Sequence, residues 1–143
     1  MPEIVDNRLV FAENCLPRRV MELFATKWTS MVIHALNHWP GGKCRTGELQ
    51  RALPGISKKM LVQTLRDVEQ RGLVYRHVHN VVPPKVEYEL TPLGRTFAKP
   101  IEMIFAWGED NSAALSEMDS HSKTSRADTD EPATVDVSEP LHP

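Results

Sequence analysis

Thr46-Gly47-Glu48-Leu49-Gln50-Arg51-Ala52-Leu53-Pro54-Gly55-Ile56-Ser57-Lys58-Lys59-Met60-Leu61-Val62-Gln63-Thr64-Leu65-Arg66-Asp67-Val68-Glu69-Gln70-Arg71-Gly72 is the stretch that decides how the chain folds. Thr46 is expected to cap a short helix from Gly47 to about Ala52. That helix must stop before Pro54, because the residue ahead of a proline is pushed out of the helical region. Pro54-Gly55 supplies a turn. Ser57 then serves as N-cap of a longer helix in which Leu61, Leu65 and Val68 form one buried line. Gly72 suits the C-terminal stop, since glycine enters the left-handed region without a steric penalty. Two helices joined by a few residues containing glycine make a helix-turn-helix unit.

Downstream of Gly72 the period changes. Leu73 to His79 is rich in β-formers, and Val86-Glu87-Tyr88-Glu89-Leu90 alternates between apolar and charged. These segments predict two antiparallel strands, joined by the link from Asn80 to Lys85, whose Pro83-Pro84 cannot donate to a ladder. A hairpin in that place is a wing. Thr91-Pro92 opens another helix, with Thr91 as cap. Its apolar residues Leu93, Phe97, Ile101, Ile104, Phe105 and Trp107 cover a wider arc than one small domain readily buries. Beyond about Ala114 the sequence turns to Ser, Thr, Asp, Glu and Pro, and disorder is expected.

Upstream, Trp28, Met31, Val32, Ala35, Leu36 and Trp39 fall on one helical stripe, which Pro40-Gly41-Gly42 ends. A brief helix is expected from Pro17. Residues 1–14 show no clear period and leave an ordered arm and disorder equally open. The architecture expected is therefore mainly α with a small β-hairpin, a winged helix-turn-helix.

At 100° per residue, the side of the Ser57 helix opposite Leu61, Leu65 and Val68 carries Lys59, Gln63, Arg66 and Gln70. All four can donate hydrogen bonds and none is acidic. Glutamine matches adenine N6/N7, while lysine and arginine match guanine O6/N7 or phosphate. Ser57 and Lys58, at the helix N-terminus, suit the DNA backbone, and Thr64 is counted with this set. Asp67 beside the face would repel phosphate. In the wing, Arg76 and Lys85 are candidates for phosphate or minor-groove contact, with His77 and His79 near them. Outside this context a polar helix face is usually just solvated.

Charge agrees with that placement. The 143 residues carry a net charge of −2, but residues 111–143 hold two basic against seven acidic groups, a net −5. Residues 43–85 hold nine basic against three acidic groups, a net +6. The cations are thus gathered around the helix-turn-helix and wing, as contact with a polyanion requires.

The residues are also recognisable as text. Lys27-Trp28-Thr29, the run from Glu48 to Leu61, Leu65-Arg66-Asp67-Val68-Glu69-Gln70-Arg71-Gly72-Leu73-Val74, the run from Pro83 to Thr91, and Gly94-Arg95 resemble the HxlR family over about Cys15 to Gly108. The resemblance implies a bacterial winged-helix transcription regulator, related in architecture to the MarR group. It also implies a homodimer joined through N- and C-terminal helices that binds two-fold sites in double-stranded DNA, with repression the expected mode. The expected division is residues 1–14 as an arm, 15–112 as the DNA-binding and dimerisation domain, and 113–143, which the resemblance does not cover, as an acidic disordered tail by composition. Three departures stand out: Thr46 replaces a usual aromatic, Ala25-Thr26 a usual glycine pair, and Lys85 a usual arginine. The last keeps the charge but loses bidentate geometry.

Cys15 takes the place of a family cysteine, although Leu16 separates it from Pro17 where Cys-Pro is usual. Some members use that thiol to sense oxidants or electrophiles. Such reactivity needs thiolate, which nearby cations and a helix N-terminus favour, and Arg18 and Arg19 follow Cys15; the plain alternative is an inert thiol at a dimer contact. Cys44, between Lys43 and Arg45 in an expected loop, is open to two readings, a reactive or resolving thiol and an incidental one, the second preferred.

Other chemistries find little support. His34 and His38 have metal-binding spacing, but no third ligand is near in sequence, so a solvated or hydrogen-bonded pair is expected and no metal or other cofactor. Gly42 and Gly47 have P-loop spacing, but Glu48 stands where lysine is required. No catalytic arrangement appears, so no enzyme is expected. A winged helix that binds protein instead of DNA is the alternative, though such domains usually lose the basic face. The acidic start and the lack of a long apolar run favour a cytoplasmic protein without membrane association. No small-molecule effector is indicated.

Overall fold

Leu61, Leu65 and Val68 lie at the centre of the core, each at most 1% exposed in a computed structural model that describes residues 3–129. In chain order the elements are β1 (Glu3–Val5), β2 (Arg8–Val10), α1 (Leu16–Leu23), α2 (Lys27–His38), β3 (Lys43–Arg45), α3 (Thr46–Ala52), α4 (Lys58–Gln70), β4 (Val74–His79), β5 (Lys85–Leu90), α5 (Pro92–Asp110) and α6 (Ser112–Thr129). The chain divides into two units, one ending at Met103 and the other starting at Ile104.

In the first unit, α2 packs on α4, and both close over a three-stranded antiparallel sheet of order β3-β5-β4. Val32, Ile33 and Leu36 from α2, Leu49 from α3, and Val74, Tyr88 and Leu90 from the sheet complete the core with Ala98 and Ile101 of α5. Each large aliphatic side chain taken fully out of water contributes roughly 1.5–3 kcal/mol before conformational entropy is counted. The α2 stripe is rotated from expectation: Thr29, Val32, Ile33 and Leu36 are buried, whereas Trp28 and Trp39 stay half-exposed.

Helix ends follow local chemistry. Ser57 Oγ accepts a hydrogen bond from Met60 N at 3.0 Å, the expected cap of α4. Thr91 Oγ1 accepts from Gly94 N at 3.0 Å and donates to Gly72 O at 2.6 Å, tying the start of α5 to the end of α4. Gly72 has φ +75°, the left-handed C-terminal stop. Thr46 is not the cap of α3. The helix begins at Thr46 itself, and Arg45 N donates to Glu48 Oε1 at 3.2 Å.

Three further strands were not expected. Residues 3–10 form a hairpin around Asp6-Asn7, both with positive φ, the turn geometry that asparagine and aspartate tolerate. Lys43–Arg45 pairs with Glu87–Glu89. The tail expectation is corrected in part: α6 runs to Thr129, and residues 130–143 lie outside the described residues. In this second unit, Ser116, Ser120 and Thr124 each donate to the carbonyl four residues back. Ile104, Trp107 and Met118 remain exposed.

Candidate nucleic-acid interface

The packing of α4 fixes which of its side chains can meet a partner. With Leu61, Thr64, Leu65 and Val68 buried, the face left to solvent carries Lys58, Lys59, Met60, Gln63, Arg66, Glu69 and Gln70. Among the described residues, the side chains of Lys58, Lys59, Gln63, Arg66 and Gln70 make no hydrogen bond or ion pair within the chain. Their donors are free for an outside acceptor. Asp67, read as repulsive, is held by Arg71 at 3.1 Å across one helical turn, so its charge is largely offset.

The α4 N-terminus adds an electrostatic argument. Its first turn contains no acidic residue and begins with Lys58 and Lys59. Unsatisfied N–H groups already make a helix N-terminus electropositive, so two lysines there repel it unless an anion arrives. A phosphate would relieve that repulsion.

Thr64 is a correction to the expected set. It is 6% exposed, and its Oγ1 donates to Met60 O at 2.8 Å. It belongs to the inner side of α4. Arg76 does not share a face with Lys85. His79 pairs with Lys85 in the β4–β5 ladder, so Arg76, three residues earlier, points to the opposite face from Lys85. It pairs with Tyr88 and lines a cleft of about 370 Å³ with Thr46, Arg66 and Glu69, away from the wing tip.

Lys85 does lie on the outer face, but its Nζ is 3.3 Å from Glu87 Oε1, which His79 Nε2 also approaches at 2.9 Å. Partial desolvation pushes the Glu87 carboxyl up. Hydrogen bonds and charge from Lys85 and His79 outweigh that and hold it below the ordinary carboxylate range. The wing tip itself, Val81 and Val82, is apolar and exposed. Sequence reading missed Arg45 and Arg51, which gather with Lys43 and Lys85 around an open depression at the foot of the wing. They were legible as charge in the basic segment but not as a cluster, because β3 brings Arg45 opposite Glu87 only after pairing.

Cys15 sits half-buried as the residue before α1, where Arg19 N donates to its carbonyl at 3.1 Å. Cys44 is not in a loop. It is a fully buried residue of β3, and burial, then the Glu48 carboxylate, push its thiol up to about 12. A neutral, enclosed thiol of that kind is a poor nucleophile.

His34 and His38 are indeed hydrogen-bonded, to a partner invisible at the level of spacing. Glu102 of α5 takes His34 Nδ1 at 2.7 Å, His38 Nε2 at 2.9 Å and Asn37 Nδ2 at 3.2 Å. Among the described residues, no helix is long and apolar enough to cross a membrane.

Comparison with known proteins places this geometry. The family model described as HxlR-like helix-turn-helix matches residues 23–116. The HTH-type transcriptional regulator YtcD of Bacillus subtilis (strain 168) is 44% identical over 91 residues, covering 64% of this chain and 70% of the relative. A crystal structure of a MarR-family transcriptional regulator from Porphyromonas gingivalis W83 superposes with a TM-score of 0.66 at 41% identity, covering 73% of this chain and 99% of that one. The redox regulator HypR in its reduced form gives 0.63 at 36% identity, with 71% and 97% covered. The wing, the free donor face of α4 and these likenesses agree, and the chain belongs to the HxlR-like helix-turn-helix family of transcriptional regulators.

Proposed function

We propose that the chain is a homodimeric repressor that lays α4 in the major groove of double-stranded DNA. The observation that carries this reading is the uncommitted donor face of α4, with Lys59, Gln63 and Arg66 exposed opposite a fully buried side. Lys58 and Ser57 would meet the phosphate backbone, Lys59, Gln63 and Arg66 the bases, and Lys85 with Arg45 and Arg51 the flanking phosphates. Exposed apolar side chains on α1 (Leu16, Met21) and α5 (Met103, Ile104, Trp107) support pairing with a second copy. In a two-fold dimer the two α4 helices would enter grooves roughly 34–36 Å apart.

The test is fluorescence anisotropy on DNA selected from a random pool. Lys59→Ala and Gln63→Ala are expected to weaken specific binding by about 1–3 kcal/mol each. Affinity should also fall steeply with salt, at a slope of about −0.9 per phosphate neutralised. Unchanged affinity in both variants, or salt-indifferent binding, removes α4 from the interface.

Regulation through Cys15 is part of the proposal. The description of HypR as a redox regulator and the half-buried position of Cys15 ahead of α1 support it. Oxidant is expected to change DNA affinity of the parent and leave Cys15→Ser unaffected. An equal response in both would retire the idea.

A further inference from the structure

We propose that His34, His38 and Glu102 form a binding site for a divalent transition-metal ion of the zinc class, spanning α2 and α5. The four-residue spacing of the histidines puts both rings on one side of α2, with centroids 4.6 Å apart. The fold supplies the third ligand that sequence spacing lacks. The ligating atoms of all three side chains lie within 4.8 Å of one another, and among the described residues this is the group that could hold an ion.

The geometry is close to what an ion needs. Tetrahedral zinc with N and O ligands at about 2.0–2.2 Å keeps those atoms about 3.3 Å apart. The present carboxylate–imidazole distances of 2.7 and 2.9 Å are shorter than this and the widest separation within the group, up to 4.8 Å, is longer, so the side chains would turn to close around the ion. Each imidazole nitrogen facing Glu102 would exchange its hydrogen bond for a metal bond, its proton moving to the other ring nitrogen or to solvent. Two imidazoles and one carboxylate, with no thiolate, select zinc, cobalt, nickel or copper over magnesium or calcium.

The supports are in place too. Asn37 donates to Glu102 Oε1 and would keep orienting the carboxylate when its other lone pairs turn to the ion. His34 follows fully buried Ile33, and Glu102 follows Ile101 at 1% exposure, so both ligand backbones are anchored in the core. The His34 and Glu102 side chains are 33% and 31% exposed, which leaves an entry path and room for a water as fourth ligand. His34, His38 and Asn37 all direct nitrogen atoms at the Glu102 carboxylate, which fixes where its oxygens lie. The wing histidines lack this convergence: His77 meets Glu89, while His79 shares Glu87 with a lysine, whose charge would repel an ion.

The experiment uses chelator-stripped full-length protein titrated with Co2+ and then Zn2+. One equivalent of Co2+ per chain should bind with the intense visible bands of tetrahedral coordination, and Zn2+ should bleach them. His38→Gln and Glu102→Gln should each weaken binding by about tenfold or more, while Cys15→Ser and His77→Gln leave it unchanged. His38 is a surface residue, so circular dichroism of that variant should match the parent. Absence of tetrahedral bands, binding that survives both ligand substitutions, or loss of binding in Cys15→Ser would overturn the assignment.

Discussion

Gln63 and Thr64 are adjacent on α4, and one peptide bond separates their roles. Gln63 faces solvent with an unengaged amide, whereas Thr64 is 6% exposed and bonded to the Met60 carbonyl. Gln63→Ala should therefore cost specific DNA binding, as measured by anisotropy, while Thr64→Val should leave affinity unchanged. Cys44 makes a second residue-scale prediction. Its thiol stays neutral to about pH 12 in the fold but ionises from about 9.0 once unfolded. The folded state thus holds the proton more tightly, and stability present below pH 9 declines as pH rises toward 12, at up to about 1.4 kcal/mol per pH unit. Urea unfolding across that window should show the decline in the parent and a weaker one in Cys44→Ala. Native Cys44 should also resist iodoacetamide far longer than Cys15.

Elements differ in how far their ends were written locally. Ser57 and Thr91 cap α4 and α5 as their residue types required, and Ser57→Ala should cost about 1 kcal/mol of stability by thermal denaturation. At Gly94 the constraint is contact, not capping: a Cβ there would collide with the Leu73 carbonyl oxygen and the Leu90 side chain. Since backbone cannot yield as a flexible side chain does, Gly94→Ala should destabilise by about 1–3 kcal/mol or more, read as a lowered Tm. The short strand β3 escaped notice because three residues carry no usable period and exist as a strand only beside β5. The face that Arg76 takes was illegible for a related reason. Its face depends on ladder register, and β4 mixes Val74 and Val78 with Arg76 on the same side.

At the scale of the molecule, the proposed pairing of two copies draws on the exposed apolar side chains Ile104 and Trp107 of α5. If α5 pairs with a second copy, Ile104→Asp or Trp107→Asp should shift sedimentation from dimer to monomer. Binding to a two-fold DNA site should weaken with it, because two linked half-sites lose their shared effective concentration. Helix α6 corrects the expected disorder without a core to explain it. Ala113, Ala114, Leu115, Glu117 and Met118 are good helix formers, and the serine and threonine hydroxyls bond back to their own helix without leaving it.

What the residues alone determined was the local grammar: two helices around Pro54-Gly55, a wing after Gly72, caps at Ser57 and Thr91, and a cationic side on α4. Capping, turn geometry and hydrophobic period act over a few residues, so they can be read without a fold. Tertiary structure alone decided that Thr64 turns inward, that Arg76 and Lys85 take opposite faces, that Cys44 is sealed, and that Glu102 reaches His34 and His38 across 64 or more residues of chain. Those outcomes depend on register and on helix rotation against the sheet, which no short window of sequence contains.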